Sequence, residues 1–139
     1  MTDQTPWPQY VRGRFAPAPE AHSVADLTVR GTLPADLNGR YLRSGPNPLS
    51  GQREKHWFTG PGMLHGIRLL NGRAAWYRNR WVRTRELEGH PFIRDDFSID
   101  LTPTRANTRV IQHADTVLAL CEAGLPLAGH ALDGDRRAV

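Results

Sequence analysis

The chain has almost no cysteine, almost no lysine and no long apolar run. Its one cysteine, Cys121, leaves no intramolecular disulfide to form, which fits a reducing compartment. No stretch approaches the ~20 apolar residues of a membrane-spanning helix. Met1 is not followed by a charged-then-apolar leader. The expected location is therefore cytoplasmic. The formal net charge of +4 comes from seventeen arginines and a single lysine, Lys55. A basic balance suits anionic partners, yet the arginines are spread from Arg12 to Arg137 and only Arg136-Arg137 are adjacent. That pattern reads as a solvated surface rather than a nucleic-acid face. Gly60-Pro61-Gly62 lacks both the spacing and the following Lys-Ser/Thr of a phosphate loop.

What the chain does have is centred on Trp57–Thr84. Asn71-Gly72 sits between two strand-like runs, and an Asn-Gly pair there is a strong hairpin signal because a type I′ turn needs positive φ at both central residues. With Leu70 and Arg73 closing the turn, subtraction sets Leu69 opposite Ala74, Ile67 opposite Trp76 and His65 opposite Arg78. Alternation then gives one face Ile67, Leu69, Ala74 and Trp76, and the other Leu64, Leu70, Ala75, Tyr77 and Trp81. Both faces are apolar, so the hairpin is expected to be covered on both sides.

Before this hairpin, residues 1–23 are proline-rich and polar and predict an extended segment, pinned by Trp7, Tyr10 and Phe15. Leu27–Leu33 predicts a short strand, and Pro34–Leu37 a single helical turn ended by Asn38-Gly39. Arg40–Arg43 predicts a strand, and Gly45-Pro46-Asn47-Pro48 cannot continue a ladder. Leu49–Lys55 reads as an exposed loop and Glu86–Ala106 as a long connection. A second hairpin pairs Arg109–Gln112 with Val117–Leu120 around Ala114-Asp115. No internal repeat stands out, and the tail beyond Pro126 has no apolar period.

Several of these stretches together resemble one family. The runs Gly39–Pro48 (GRYLRSGPNP) and His56–Gly66 (HWFTGPGMLHG) are similar to the amino-terminal signature of the carotenoid cleavage oxygenases. Tyr77–Thr84, Ala106-Asn107-Thr108 and Leu118–Pro126 extend the likeness in the same order. The resemblance covers roughly residues 10 to 127. It implies an all-β fold, the amino-terminal part of a seven-bladed β-propeller. At about 40–45 residues per blade, this length supplies about three blades at most. The chain thus reads as an amino-terminal fragment: an extended segment at 1–23, a partial propeller domain at 24–127 and a divergent tail at 128–139.

The resemblance implies a non-haem Fe(2+) dioxygenase that cleaves a double bond of a carotenoid or apocarotenoid with dioxygen. It also implies four histidine ligands, none within the matched region. Six histidines are present, His22, His56, His65, His90, His113 and His130, and none has metal-ligand spacing. The expected metal and catalytic residues of this chain are therefore none, and the chain alone is expected to bind no iron and to be inactive. Glu122 matches a family glutamate that accepts the ring N–H of a histidine ligand, at the end of an apolar strand where a charge needs a partner. Asp95-Asp96 with Asp100 reads as a solvated loop. The alternation Trp76–Trp81 suits a stacking surface for single-stranded nucleic acid, but a two-sided strand explains it as well, and no nucleic-acid partner is expected. The partners implied are the polyene, dioxygen, a peripheral membrane contact and self-association through exposed apolar faces. The competing readings are a small basic binding module and a degenerate product without activity.

Overall fold

The computed structural model describes residues 8–51 and 56–129. Its strands are β1 (Ser23–Ala25), β2 (Gly39–Pro46), β3 (Gly62–Leu70), β4 (Arg73–Trp81), β5 (Arg109–His113), β6 (Thr116–Leu120) and β7 (Leu127–Gly129). They form two antiparallel sheets, one ordered β1-β4-β3-β2 and one ordered β5-β6-β7. The only helical pieces among the described residues are 3-10 turns at Gln9–Val11, Gly13–Phe15 and Trp57–Thr59. No helix among the described residues is long and apolar enough to cross a membrane.

The β3–β4 hairpin turns at Asn71 and Gly72, with φ of 50° and 72°. Leu70 pairs with Arg73 and Leu69 with Ala74, as the turn chemistry predicts. Beyond that point subtraction fails. The register slips between Arg68 and Leu69, leaving Ala75 as an extra residue on β4, so that Arg68 faces Trp76, Ile67 faces Tyr77 and His65 faces Asn79. A bulge of one residue moves every later side chain to the opposite face. Tyr77 and Trp81 therefore lie with Met63, His65 and Ile67, and Trp76 lies with Arg68 and Leu64.

Both faces are covered at the Met63–Leu64 end of the hairpin. Leu64 packs with Val82, Ala106 and Ala119 in one buried cluster, flanked by Val110 and Leu127 of the second sheet. Met63 and Asn79, on the other face, are also buried. Toward the turn the cover ends, and Leu70 is exposed.

Several expectations for the amino-terminal half are corrected. Leu27–Leu33 is not a strand; β1 is Ser23–Ala25, pairing with Arg78, Tyr77 and Trp76. Gly31 at φ 94° breaks extended structure in the expected stretch. Pro34–Leu37 closes as one turn, Leu37 N–H to Pro34 O at 3.2 Å, and not as a helix. Asn38 ties it to the hairpin by accepting from the Asn71 N–H at 2.9 Å. The β2 strand runs past Arg43 to Pro46, which is tolerated because Pro46 ends the ladder. Phe15 is exposed, and Val11 is the buried residue of the first segment. Trp7, the Tyr10 side chain and residues 52–55 of the expected loop lie outside the described residues.

Candidate functional site

The second hairpin turns where expected, with Ala114 at φ 49° and His113 paired to Thr116. Arg109 pairs with Leu120, so the residues just outside the ladder, Thr108 and Glu122, meet at its open end. Thr108 N–H donates to Leu120 O at 3.0 Å and its hydroxyl donates to Glu122 Oε2 at 2.9 Å. Fourteen residues apart in sequence, the two side chains form one wall of an open recess of about 230 Å³. Ser44, Gly45 and Pro46 of β2, Phe58 and Asn107 line the remainder.

The recess is held by a stitch between segments 58–62 and 105–107. Asn107 Nδ2 donates to Phe58 O at 2.8 Å and Gly60 O at 2.7 Å, and the Arg105 guanidinium donates to Thr59 O. Gly62 N–H donates back to Arg105 O at 2.7 Å. The Ser44 hydroxyl reaches Ala106 O at 3.1 Å, and Arg105 pairs with Glu86 at 2.9 Å. Contact is so close at Gly62 that an added Cβ would sit 2.2 Å from Ala106 O. Ala106 itself takes a positive φ of 47° while fully buried, a left-handed alanine held by the bonds around it.

Glu122 is solvent-exposed, and it does not end a strand as expected. The β6 strand ends at Leu120, two residues earlier. Its own backbone N–H and then the Thr108 hydroxyl hold its carboxyl below the ordinary glutamate range, and Arg109 adds a smaller pull. The group is thus a fixed, ionised hydrogen-bond acceptor at the rim of the recess. Thr108 and Asn107 were legible as part of the Ala106-Asn107-Thr108 motif. Their roles were not, because the stitch joins residues 43 and more apart and the Thr108–Glu122 contact spans fourteen.

The described histidines do not line this recess. His65 Nδ1 lies 2.8 Å from the Tyr77 hydroxyl, and burial, then the charge of Arg43, lowers its pKa. His56 Nδ1 accepts from the Phe58 N–H at 3.3 Å. The His22 ring is 3.9 Å from Glu20, His90 and His113 are exposed, and His130 lies outside the described residues. Among the described residues no three His, Cys, Asp or Glu side chains converge as a metal site would need. These residues do not by themselves fit an iron centre. Asp96 and Asp100 cap their own loop, accepting from Ser98 and from Thr102 and Arg94. Arg78 stacks over Trp76 at 4.7 Å, and Arg80 bonds to His22 O and Ser23 Oγ at 2.7 and 2.8 Å.

A family model described as "Retinal pigment epithelial membrane protein" matches residues 15–133. The chain is 43% identical over 122 residues to a carotenoid cleavage oxygenase of Mycobacterium tuberculosis, covering 84% of this chain and 24% of that one. It is 36% identical to the carotenoid 9,10(9',10')-cleavage dioxygenase of Crocus sativus, covering 91% of this chain and 29% of that one. Among solved structures, it matches the lignostilbene dioxygenase of Pseudomonas brassicacearum with a TM-score of 0.70 at 31% identity, over 91% of this chain and 30% of that one. It also matches a variant of the Synechocystis apocarotenoid oxygenase, with a TM-score of 0.66 at 25% identity, over 84% of this chain and 28% of that one. These neighbours are propeller enzymes, and the all-β chain corresponds to an amino-terminal part of their fold. The chain spans about a quarter of the length of the curated relatives it matches. On the match over residues 15–133 and the identity to these relatives, this chain belongs to the carotenoid cleavage oxygenase family.

Proposed function

We propose that this chain supplies the opening sheets of a non-haem iron(II) dioxygenase that oxidatively cleaves a double bond of a carotenoid or apocarotenoid. The observation that carries the reading is the family match over residues 15–133, together with 43% identity to the carotenoid cleavage oxygenase of M. tuberculosis. In this reading the chain is a fragment, inactive alone, and the iron-holding histidines belong to blades it does not supply. Bound iron would provide the activation of dioxygen.

The part given to this chain is positioning. Glu122 would accept the free ring N–H of a histidine ligand, fixing its tautomer and orientation. Its exposure at the recess rim and its ionised state suit that role. Exposed Ile93, Phe97, Ile99 and Leu101 supply apolar surface for the self-association expected of an unclosed ring.

A hybrid tests the assignment. Residues 15–133 would replace the matching region of the M. tuberculosis relative, and iron content and apocarotenoid cleavage would be measured beside the isolated chain. The expected result is iron and cleavage in the hybrid and neither in the isolated chain. Glu122→Gln in the hybrid should weaken iron affinity about 10- to 100-fold. A folded hybrid without iron, or an isolated chain with near-stoichiometric iron, overturns the reading.

A further inference from the structure

The segment Ala18–Leu27 lies along the outer edge of the first sheet and is held almost wholly by its backbone. Asn47 grips Ala18 from both sides, its Oδ1 accepting from Ala18 N–H at 2.7 Å and its Nδ2 donating to Ala18 O at 3.0 Å. Four residues on, Asn79 does the same: its Oδ1 accepts from the His22 N–H, and its backbone N–H donates to His22 O at 3.1 Å. Asn79 Nδ2 also reaches Glu20 O at 3.5 Å, and Arg80 donates to His22 O and Ser23 Oγ. The ladder with β4 follows, and Asp26 N–H and Leu27 N–H continue it onto Ala75 O and Ala74 O at 2.9 and 3.1 Å.

The two sides of this contact differ in burial. Asn47 and Asn79 are 5% and 1% exposed, whereas every residue from Pro19 to Asp26 is exposed. The slot is therefore built into the sheet, while the strand filling it contributes little apolar burial. Single hydrogen bonds of this kind add little net stability each, and segments with few buried contacts are the ones that open locally. Recognition through backbone groups at an open sheet edge is also how sheets accept an added strand from another chain. Pro17 and Pro19 flank Ala18 and hold it extended, which lowers the ordering cost of docking.

We infer that Ala18–Asp26 is an exchangeable strap, and that the slot formed by Asn47, Asn79, Arg80 and the outer edge of β4 is a peptide-binding site. Its occupant in trans is the same segment of a second copy of this chain. It asks of its ligand an extended backbone with free N–H groups at two positions four residues apart, and little of the side chains. The inference is independent of the proposed iron chemistry.

The test releases the strap without touching the slot. Ala18→Pro with His22→Pro removes the two N–H donors that Asn47 and Asn79 accept from. A fluorescent peptide of residues 14–27 is then titrated into the variant and the wild-type chain, followed by anisotropy. The variant should bind it. The wild-type chain should bind at least about tenfold more weakly, because its own strap competes at an effective concentration on the order of millimolar. A peptide carrying both prolines should bind neither. Hydrogen exchange of the wild-type chain supplies the second measurement, whether or not the variant folds. Ala18 and His22 amides should exchange well before those of Gly66 and Arg78, which face each other within the β3–β4 hairpin. Exchange of all four only in a single global opening, or a folded variant that ignores the peptide, overturns the inference.

Discussion

The two sheets are built on different terms. The first has two nine-residue strands joined by Asn-Gly, and both faces of its hairpin are buried at the Met63–Leu64 end. The second has strands of five, five and three residues, and β5 is mostly exposed. Its turn places an alanine, Ala114, at the positive φ that glycine would take without strain. Yet Glu122 and its recess lie at the open end of the second sheet's β5–β6 hairpin. The sheet that can hold itself carries the weight, and the sheet that presents the candidate chemistry is held from outside through residues 104–107.

Breaking the stitch is the severest test of that contrast. Gly62→Val should cost about 4 kcal/mol or more, a loss reserved for core overpacking and broken networks, since even a Cβ meets the Ala106 carbonyl. In NMR spectra the β5–β7 resonances should collapse while those of the β3–β4 turn keep native dispersion. Uniform loss across both sheets would show that they fold as one unit. Leu64→Ala should cost about 3 kcal/mol by the cavity it leaves, read from the shift in urea midpoint, because Leu64 is the first sheet's contribution to the shared cluster.

The turns sharpen the comparison further. Gly72→Val should destabilise by about 2 kcal/mol, the strain of a β-branched residue at positive φ. Ala114→Gly should do the reverse, stabilising by about 0.5 kcal/mol as relief of left-handed strain exceeds the added chain entropy. Equal effects in thermal melts would contradict the asymmetry between the hairpins.

The smallest effect is in pH. Burial, then Arg43, lowers the His65 pKa, so the folded state binds fewer protons than the unfolded one. Its contribution is complete above the ordinary histidine value of about 6.5 and falls as pH drops from there through the folded-state value. Glu122 is depressed as well, but as a carboxylate it contributes above the ordinary glutamate range and loses that contribution only as pH falls through its lower folded value. Mild acid should therefore weaken the first sheet before stronger acid reaches the second. His65→Gln should remove the slope near pH 6 in urea midpoints; a slope that survives assigns it elsewhere.

The turns were legible because Asn-Gly and a pair of apolar runs act over a few residues. The register of β4 was not, since the bulge at Ala75 has no local signal and is bound up with the chain crossing its outer edge. β1 was missed for a related reason: Ser23–Ala25 carries no strand pattern of its own and is extended because β4 offers it an edge. The motif residues around Ala106 could be recognised, but what they hold depends on a loop far away in sequence. Glu122 was singled out by likeness to a family, while its hydrogen bond with Thr108 needed geometry.

The stitch between segments 58–62 and 105–107 also sets an order of events in folding. The β3–β4 hairpin closes over two residues, so its contacts cost little chain entropy and form early. Asn107 and Arg105 can bond only to carbonyls that already stand in position, and Gly62 can donate to Arg105 only after the long connection has closed. The β5–β6 hairpin closes just as locally, so the late step is the docking of the second sheet onto the first through the stitch. Mutations at the Asn71-Gly72 turn should slow folding, whereas those around Ala106 should chiefly speed unfolding.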